Sequence, residues 1–318
     1  MNEQRNIFGP VPSRRLGKSL GVNNIPYKVC TYSCLYCQVG KAIKMQANRQ
    51  AFYSPDKLFY EAQKVIQSIR SKKKYPDYIA IVPDGEPTLD SNLGLLIKKL
   101  KTTGIPVAVI TNASLLGLPD VQKDISIADY ISIKVDTVSS SVWRKMDHPV
   151  RSLELPTILK GIEQFAMNYS GKLVTETMLV KNYNDMDSEL NNLADFIQGI
   201  KPAVAYLAIP TRPPAFSGVQ QPEIETLTNA YYIYKKYMDS VEFLIDYEGN
   251  AFTSVCKPEE DILAITAVHP MQEKALKKLL HKKNKDFDLV DKLVEKGLLN
   301  KIDYLGNVYY SRNFKKNS

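Results

Sequence analysis

The chain has 318 residues, 44% hydrophobic and 24% charged, an ordinary globular composition with ample length for a sizeable core. No run of eighteen apolar residues occurs, so no transmembrane helix and no membrane partner are expected, and four cysteines, three of them in one cluster, point to a reducing, cytoplasmic compartment. The net charge of +8 is uneven: residues 271–318 hold 12 Lys/Arg against 6 Asp/Glu, leaving 30 against 28 over residues 1–270. The basic excess of the tail points to two parts with different jobs.

The stretch Phe8-Gly9-Pro10-Val11-Pro12-Ser13-Arg14-Arg15-Leu16-Gly17 is too rich in proline and glycine for a helix. Turns leading into a first strand near residues 20–23 are predicted. Arg14, Arg15 and Lys18 suit an anionic ligand as well as they suit a solvated basic loop. Ser54-Pro55-Asp56 starts a helix with a capping serine, a proline at the first helical position and an acid in the first turn. Leu58, Ala62, Val65, Ile66 and Ile69 share its inner face. Arg70, Lys72, Lys73 and Lys74 end it, complementing the macrodipole.

A short apolar strand at 78–82 runs into Gly85-Glu86-Pro87. A helix with Leu96, Ile97 and Leu100 inward ends near Gly104, and strand 107–110 ends in Thr111-Asn112. Strand 130–135 ends at Asp136, helix 156–168 leads to strand 173–180, and 184–200 is helical. Strand 204–209 ends in Thr211-Arg212-Pro213-Pro214; helix 223–238 and strand 241–245 follow. Strands alternating with amphipathic helices imply an α/β fold with a parallel sheet. A complete eight-unit barrel takes ~250 residues, so an open, partial (β/α)6 barrel is expected over residues 1–255. Its notable residues fall at the C-terminal ends of strands, where such folds place their sites.

In 130–135 the alternation puts Ile131, Ile133 and Val135 on one face and Ser132, Lys134 and Asp136 on the other. The apolar face belongs to the helices, the polar face to the lumen. Lys134 and Asp136 then either serve a ligand or satisfy each other as an ion pair. Thr111 and Asn112 either hydrogen-bond a ligand or cap their loop. Glu176 is left without an assigned face. Arg212 suits an anionic substrate group or the open surface equally.

Three of the four cysteines, Cys30, Cys34 and Cys37, lie within eight residues, and the fourth, Cys256, is more than two hundred positions away. Clustered thiolates are soft ligands that suit iron–sulfur clusters or zinc. Structural zinc takes four protein ligands, and only three are local. A cubane cluster held by three cysteines leaves one iron open for something other than protein. His148, His269 and His281 have no metal-ligand spacing, and neither a P-loop nor a dinucleotide fingerprint appears. A disulfide framework needs a secreted context that nothing here supplies.

The C-x3-C-x2-C spacing with Tyr36 before the last cysteine resembles the signature of the radical S-adenosylmethionine (SAM) superfamily. The resemblance extends over residues 8–255 through Val11-Pro12-Ser13-Arg14-Arg15-Leu16-Gly17, Gly85-Glu86-Pro87 and Thr211-Arg212-Pro213-Pro214. It points to the subgroup that includes the tRNA wyosine (imidazo-G) synthases. It implies a [4Fe–4S] cluster on Cys30, Cys34 and Cys37, SAM on the open iron, and reductive cleavage to a 5′-deoxyadenosyl radical. Tyr36 is then expected near the adenine. Gly85-Glu86-Pro87, with Asp84 replacing the family's first glycine, is expected to hold the SAM amino group. Lys134 suits the carboxylate and Asp136 the ribose; Ser132, Thr111 and Asn112 complete the expected contacts. The low potential such cleavage needs implies flavodoxin or ferredoxin as electron donor. The wyosine synthases carry further cysteines for a second cluster; with only Cys256 to spare, this chain cannot build one. An RNA or protein substrate is compatible with the sequence.

Residues 256–270 read as a linker. A basic helix at 271–283 has Leu276, Leu279 and Leu280 inward, and a second at 287–296 ends before Gly297. Two short strands then flank Leu305-Gly306-Asn307, an order resembling a winged helix. Asp286, Asp288, Asp291 and Glu295 on the second helix would repel phosphates, whereas Lys301, Arg312, Lys315 and Lys316 lie in the wing. A non-catalytic metal-binding regulator with a nucleic-acid-binding tail is the alternative to an enzyme.

Overall fold

The computed structural model describes residues 5–70, 75–245, 252 and 257–314. Cys256 and the basic positions Lys72, Lys73, Lys74, Lys315 and Lys316 lie outside the described residues. Among the described residues no helix is long and apolar enough to cross a membrane.

The chain opens with an antiparallel hairpin of β1 (Ile7–Ser13) and β2 (Gly17–Val22). In the cysteine segment, β3 (Val29–Cys30) pairs in parallel with β4 (Lys44–Met45). Then come α1 (Pro55–Arg70), β5 (Tyr78–Ile81), a 3-10 turn at Pro87–Leu89, α2 (Leu93–Lys101), β6 (Val107–Thr111), α3 (Pro119–Ile125) and β7 (Tyr130–Lys134). They are followed by α4 (Ser140–Met146), α5 (Leu155–Asn168), β8 (Lys172–Met178), α6 (Asp187–Ile200), β9 (Ala205–Ala208), α7 (Ile224–Tyr237) and β10 (Val241–Leu244). The main sheet runs β1-β2-β5-β6-β7-β8-β9-β10, parallel from β2 onward. This is the expected α/β partial barrel.

The N-terminal stretch departs from expectation. The Pro/Gly-rich opening was expected to be turns, yet 7–13 is a strand. It lies at the sheet edge, where a residue without an N–H breaks no ladder, and the register shifts between Phe8 and Val11. Its turn brings Leu16 into the lumen beside Tyr130, Tyr206 and Leu244, and the Arg14 guanidinium donates to the Leu244 carbonyl of β10. The hairpin thereby joins the two edges of the open barrel.

The inner faces behave as their periods dictate. Leu58, Ala62, Ile66 and Ile69 of α1 are buried against the outer side of the sheet with Ile131 and Ile133 of β7. Each large aliphatic side chain so buried contributes roughly 1.5–3 kcal/mol. Tyr130, Val174 and Tyr206 point to the lumen instead.

The tail comprises α8 (Pro258–Val268), β11 (Met271–Gln272), α9 (Glu273–His281), α10 (Asp288–Glu295), β12 (Leu299–Tyr304) and β13 (Asn307–Arg312). Its sheet order is β11-β13-β12. The stretch expected to be a linker holds α8. Ile262, Ile265 and Val268 share a core with Leu276, Leu280, Leu293 and Tyr310, and with Phe8 and Val11 of β1. The apolar content of 262–268 needs a partner surface, so the segment packs instead of spanning. Tyr304 and Tyr309 donate to the Pro210 and Thr211 carbonyls beyond β9, at 2.9 and 3.0 Å. The tail is thus fastened to the barrel at a strand end.

Candidate active site

The C-terminal ends of the strands surround a cavity of about 310 Å³. Cys30, Cys34 and Cys37 line it together with Tyr36, Gly85, Glu86, Thr111, Asn112 and Lys134. Of the expected positions, Pro87, Ser132 and Asp136 do not reach it.

The cysteine loop is held from three sides. The Glu86 N–H donates to the Val29 carbonyl at 3.2 Å, which seats the Gly85-Glu86 loop on the strand that carries Cys30. The segment after α4 grips the other side: the Leu35 N–H donates to the Met146 carbonyl at 2.9 Å and the Ser33 N–H to that of Asp147 at 3.0 Å. Asn112 reaches Cys30 Sγ at 3.8 Å and Thr31 Oγ1 at 2.8 Å from the end of β6.

Glu86 is buried and its carboxylate accepts four hydrogen bonds. They come from Thr88 N–H (3.0 Å), Thr88 Oγ1 (2.6 Å), Thr111 Oγ1 (2.5 Å) and Asn112 N–H (2.8 Å). Burial raises its pKa against the pull of those donors. Its carboxylate therefore ties the ends of β5 and β6 together. Asp84, the departure from the family motif, accepts from Asn23 Nδ2 at 3.0 Å and is buried as a structural group.

Tyr36 is pinned by its phenol, which donates to Asp136 and, at 3.0 Å, to Asp147. Lys134 Nζ stands 4.4 Å from its ring centre. Asp136 also accepts the Met178 N–H at 2.7 Å. Neither Lys134 nor Asp136 satisfies the other: Lys134 faces Glu176 at 3.6 Å. Glu176 enters the lumen, where it also pairs with Arg15. Arg15 is held down to about 10 by burial and contacts Ser132 Oγ at 3.4 Å, which accounts for Ser132. Lys18 is exposed, and its backbone N–H bonds Asp77 at 2.7 Å; it takes no part in the cavity. Arg212 is buried, bonding Gln38 Oε1 at 2.5 Å and His269 Nε2 at 3.2 Å.

The donor chemistry fits a cluster. The three thiols are free and partly buried. Burial, then Glu86, pushes Cys30 up to about 12; burial, then Asp147, raises Cys34 well above its ordinary value. A metal reverses such a shift by deprotonating its thiol outright. Among the described residues no three His, Cys, Asp or Glu side chains stand close enough to share one ion. Thiolates around a single zinc lie within about 4 Å of each other, given Zn–S near 2.3 Å. Thiolates that each take a different iron of one cubane stand wider apart.

Residues 24–197 match the radical SAM superfamily. The chain belongs to that superfamily. This radical SAM chain is 43% identical over 310 residues to the UPF0026 protein MJ1312 of Methanocaldococcus jannaschii, covering 97% of this chain and 96% of that protein. The fold is shared with a radical SAM methyltransferase from Sphaerobacter thermophilus (TM-score 0.56, 14% identity, 77% of this chain and 69% of that one). It is shared also with TYW1 bearing a lysine-pyruvate adduct (TM-score 0.53, 16% identity, 70% of this chain and 75% of that one). The [4Fe–4S] cluster and SAM are the cofactors of the superfamily, and the residues around this cavity suit both.

Two contributors escaped the sequence reading. Lys28, two residues before Cys30, is buried and donates from Nζ to Cys37 Sγ at 3.3 Å. Its position beside the motif was the only available signal. Asp147 sits more than a hundred residues from Tyr36 and has no local signature; only the α4–α5 connection brings it in.

Proposed function

We propose that this protein is a radical SAM enzyme that abstracts hydrogen from a substrate whose class the site does not assign, with Cys30, Cys34 and Cys37 as the cluster ligands. The observation that carries this reading is the convergence of those three sulfurs with the Gly85-Glu86 loop and Lys134 on one cavity. When bound, the cluster and SAM supply a one-electron reductive cleavage that yields a 5′-deoxyadenosyl radical.

The chain's own residues position and enclose. Lys134, anchored on Glu176, lines the cavity and would hold the SAM carboxylate. The Glu86 carboxylate accepts from four protein donors, and the Glu86 and Pro87 carbonyls accept from Leu89 and Asp90, so the Gly85 carbonyl is the acceptor of this loop that would meet the SAM ammonium. Tyr36, held by Asp136 and Asp147, is a fixed wall of the cavity that would border the adenine. Asp136 does not reach the cavity and would meet the ribose only by exchanging Tyr36 or Met178 for it. Thr111 and Asn112 hold Glu86 and complete the strand end. Lys28 offsets the charge of the Cys37 thiolate.

We read the tail as winged-helix-like, on its order of helix, strand, helix, helix and hairpin. Its hairpin tyrosines bond the barrel, and α10 begins with Asp288 and Asp291. That arrangement favours a wall for the active site over a duplex reader. Free cysteines suit a reducing cytoplasm.

Anaerobic reconstitution followed by dithionite and SAM tests the reading. The expected result is a [4Fe–4S] spectrum and formation of 5′-deoxyadenosine, both lost in Cys34→Ala. An iron-loaded protein that never cleaves SAM would overturn it. Salt-dependent, sequence-selective DNA binding without SAM affinity would establish the regulator instead.

A further inference from the structure

The segment directly after Cys37 sets two exposed apolar side chains among basic ones. Ile43 is 70% exposed and Met45 40%. Lys41 and Lys44 flank them, also exposed, and residues 38–50 contain Lys41, Lys44 and Arg49 but no Asp or Glu.

This surface is stitched to the cysteine loop along its length. The Gly40 N–H donates to the Cys37 carbonyl at 3.1 Å, those of Ile43 and Lys44 to the Lys28 carbonyl at 3.0 and 3.2 Å, and that of Gln46 to the Cys30 carbonyl at 3.1 Å. In the β3–β4 ladder Met45 lies opposite Cys30. Gly40 makes the turn with a φ of 90°, a conformation that L side chains avoid. An exposed patch is thereby held one strand away from a cluster ligand.

We propose that Lys41, Ile43, Lys44 and Met45 form the docking face for an acidic, flavin-bearing electron carrier of the flavodoxin kind. The inference rests on the radical SAM reading, which requires an electron from outside. Lysines around the patch complement an acidic partner and steer its approach. Ile43 and Met45 suit the apolar edge of a flavin ring, which such carriers expose; the iron–sulfur group of a ferredoxin offers no comparable apolar edge. In the step itself one electron leaves the reduced flavin and enters the [4Fe–4S] cluster. No bond forms or breaks, the flavin is oxidised by one electron and the cluster is reduced by one.

The test compares the full-length protein with a Lys41→Glu/Lys44→Glu variant and, separately, Ile43→Ser. Affinity for oxidised flavodoxin is measured by calorimetry at two salt concentrations, and cluster reduction is timed with reduced flavodoxin and with dithionite. The expected result is binding that weakens about tenfold on charge reversal, with a shallower salt dependence. Reduction by flavodoxin slows in parallel, and reduction by dithionite keeps its rate. Ile43→Ser, which adds no charge, is expected to weaken binding at both salt concentrations. Equal flavodoxin affinity in all three proteins would overturn the proposal, as would productive reduction by ferredoxin alone. Failure of the radical SAM reading is separable: it shows as no 5′-deoxyadenosine even with dithionite, whatever the binding data.

Discussion

Gly85 rests so closely on Val29 that a Cβ added to it would stand 2.0 Å from the Val29 carbonyl oxygen. That carbonyl accepts the Glu86 N–H and precedes Cys30 in β3. The glycine therefore sets the distance between the loop after β5 and Cys30, the first of the three proposed cluster ligands. Gly85→Ala must push backbone against backbone, which costs roughly 1–3 kcal/mol. The expected outcome is a lower melting temperature together with iron incorporation well below wild type. Normal iron content in the variant would show that the close approach is not needed for the site.

The ammonium of Lys28 touches Cys37 Sγ. Burial lowers its pKa, but Cys37 and Cys30 more than offset this and leave it raised, so the side chain enters the site as a cation. Hydrogen bonds and charge at the sulfurs tune a cluster's potential. Lys28→Met removes both, disfavouring the reduced, more negative cluster. Its potential is expected to fall by on the order of 60 mV, the one-electron equivalent of a tenfold change. A redox titration followed by electron paramagnetic resonance measures it; an unchanged potential would rule this role out.

The two preceding sites differ in how openly the sequence displays them. Gly85 follows an apolar strand and carries its own motif, and the lumen face of β7 is written in the alternation of Ile131, Ile133 and Val135 with Ser132 and Lys134. Contacts fixed by local period or spacing are readable in this way. Asp136 was expected to line the lumen, but it stops short of the cavity because its partners Tyr36 and Met178, which come from other segments, hold it. Lys18 shares a basic run with Arg15, but only Arg15 enters the lumen. The strand β1 was hidden because its prolines disfavour regular structure everywhere except at an edge. The helix α8 was hidden because its partners, Leu276, Leu293 and Phe8, lie far along the chain.

Asp147 makes the apo protein's stability depend on pH. Burial, then the neighbouring Asp136, pushes its carboxyl from 3.8 up to about 7. A raised carboxyl favours the fold fully below the unfolded value, and that contribution is lost as pH rises from about 4 to about 7. Asp147→Asn has no proton to lose and can still accept from Tyr36. Its melting temperature relative to wild type is expected to climb across that window, at most about 1.4 kcal/mol per pH unit, and to level off above it. Thermal unfolding of the metal-free proteins between pH 4.5 and 8.5 checks this; a difference that does not vary with pH would remove Asp147 as the titrating group.

Arg212 joins the barrel to the tail through Gln38 and His269. Burial, then Arg212 and Arg14, keeps His269 well below the usual histidine range, so the buried ring stays neutral and its Nε2 accepts from the guanidinium. A depressed histidine supports the fold above its unfolded value near 6.5, and that support is lost as pH falls below it. Arg212→Gln removes a charged donor from a buried partner, a loss of about 1–3 kcal/mol, and also removes part of what disfavours the imidazolium. The variant is therefore expected to melt lower at pH 8, while losing less additional stability than wild type between pH 7 and pH 5. Hydrogen exchange over residues 258–272 should quicken at pH 8 in the variant, because that segment carries His269 against the barrel. If the exchange there is unaltered, Arg212 does not fasten the tail.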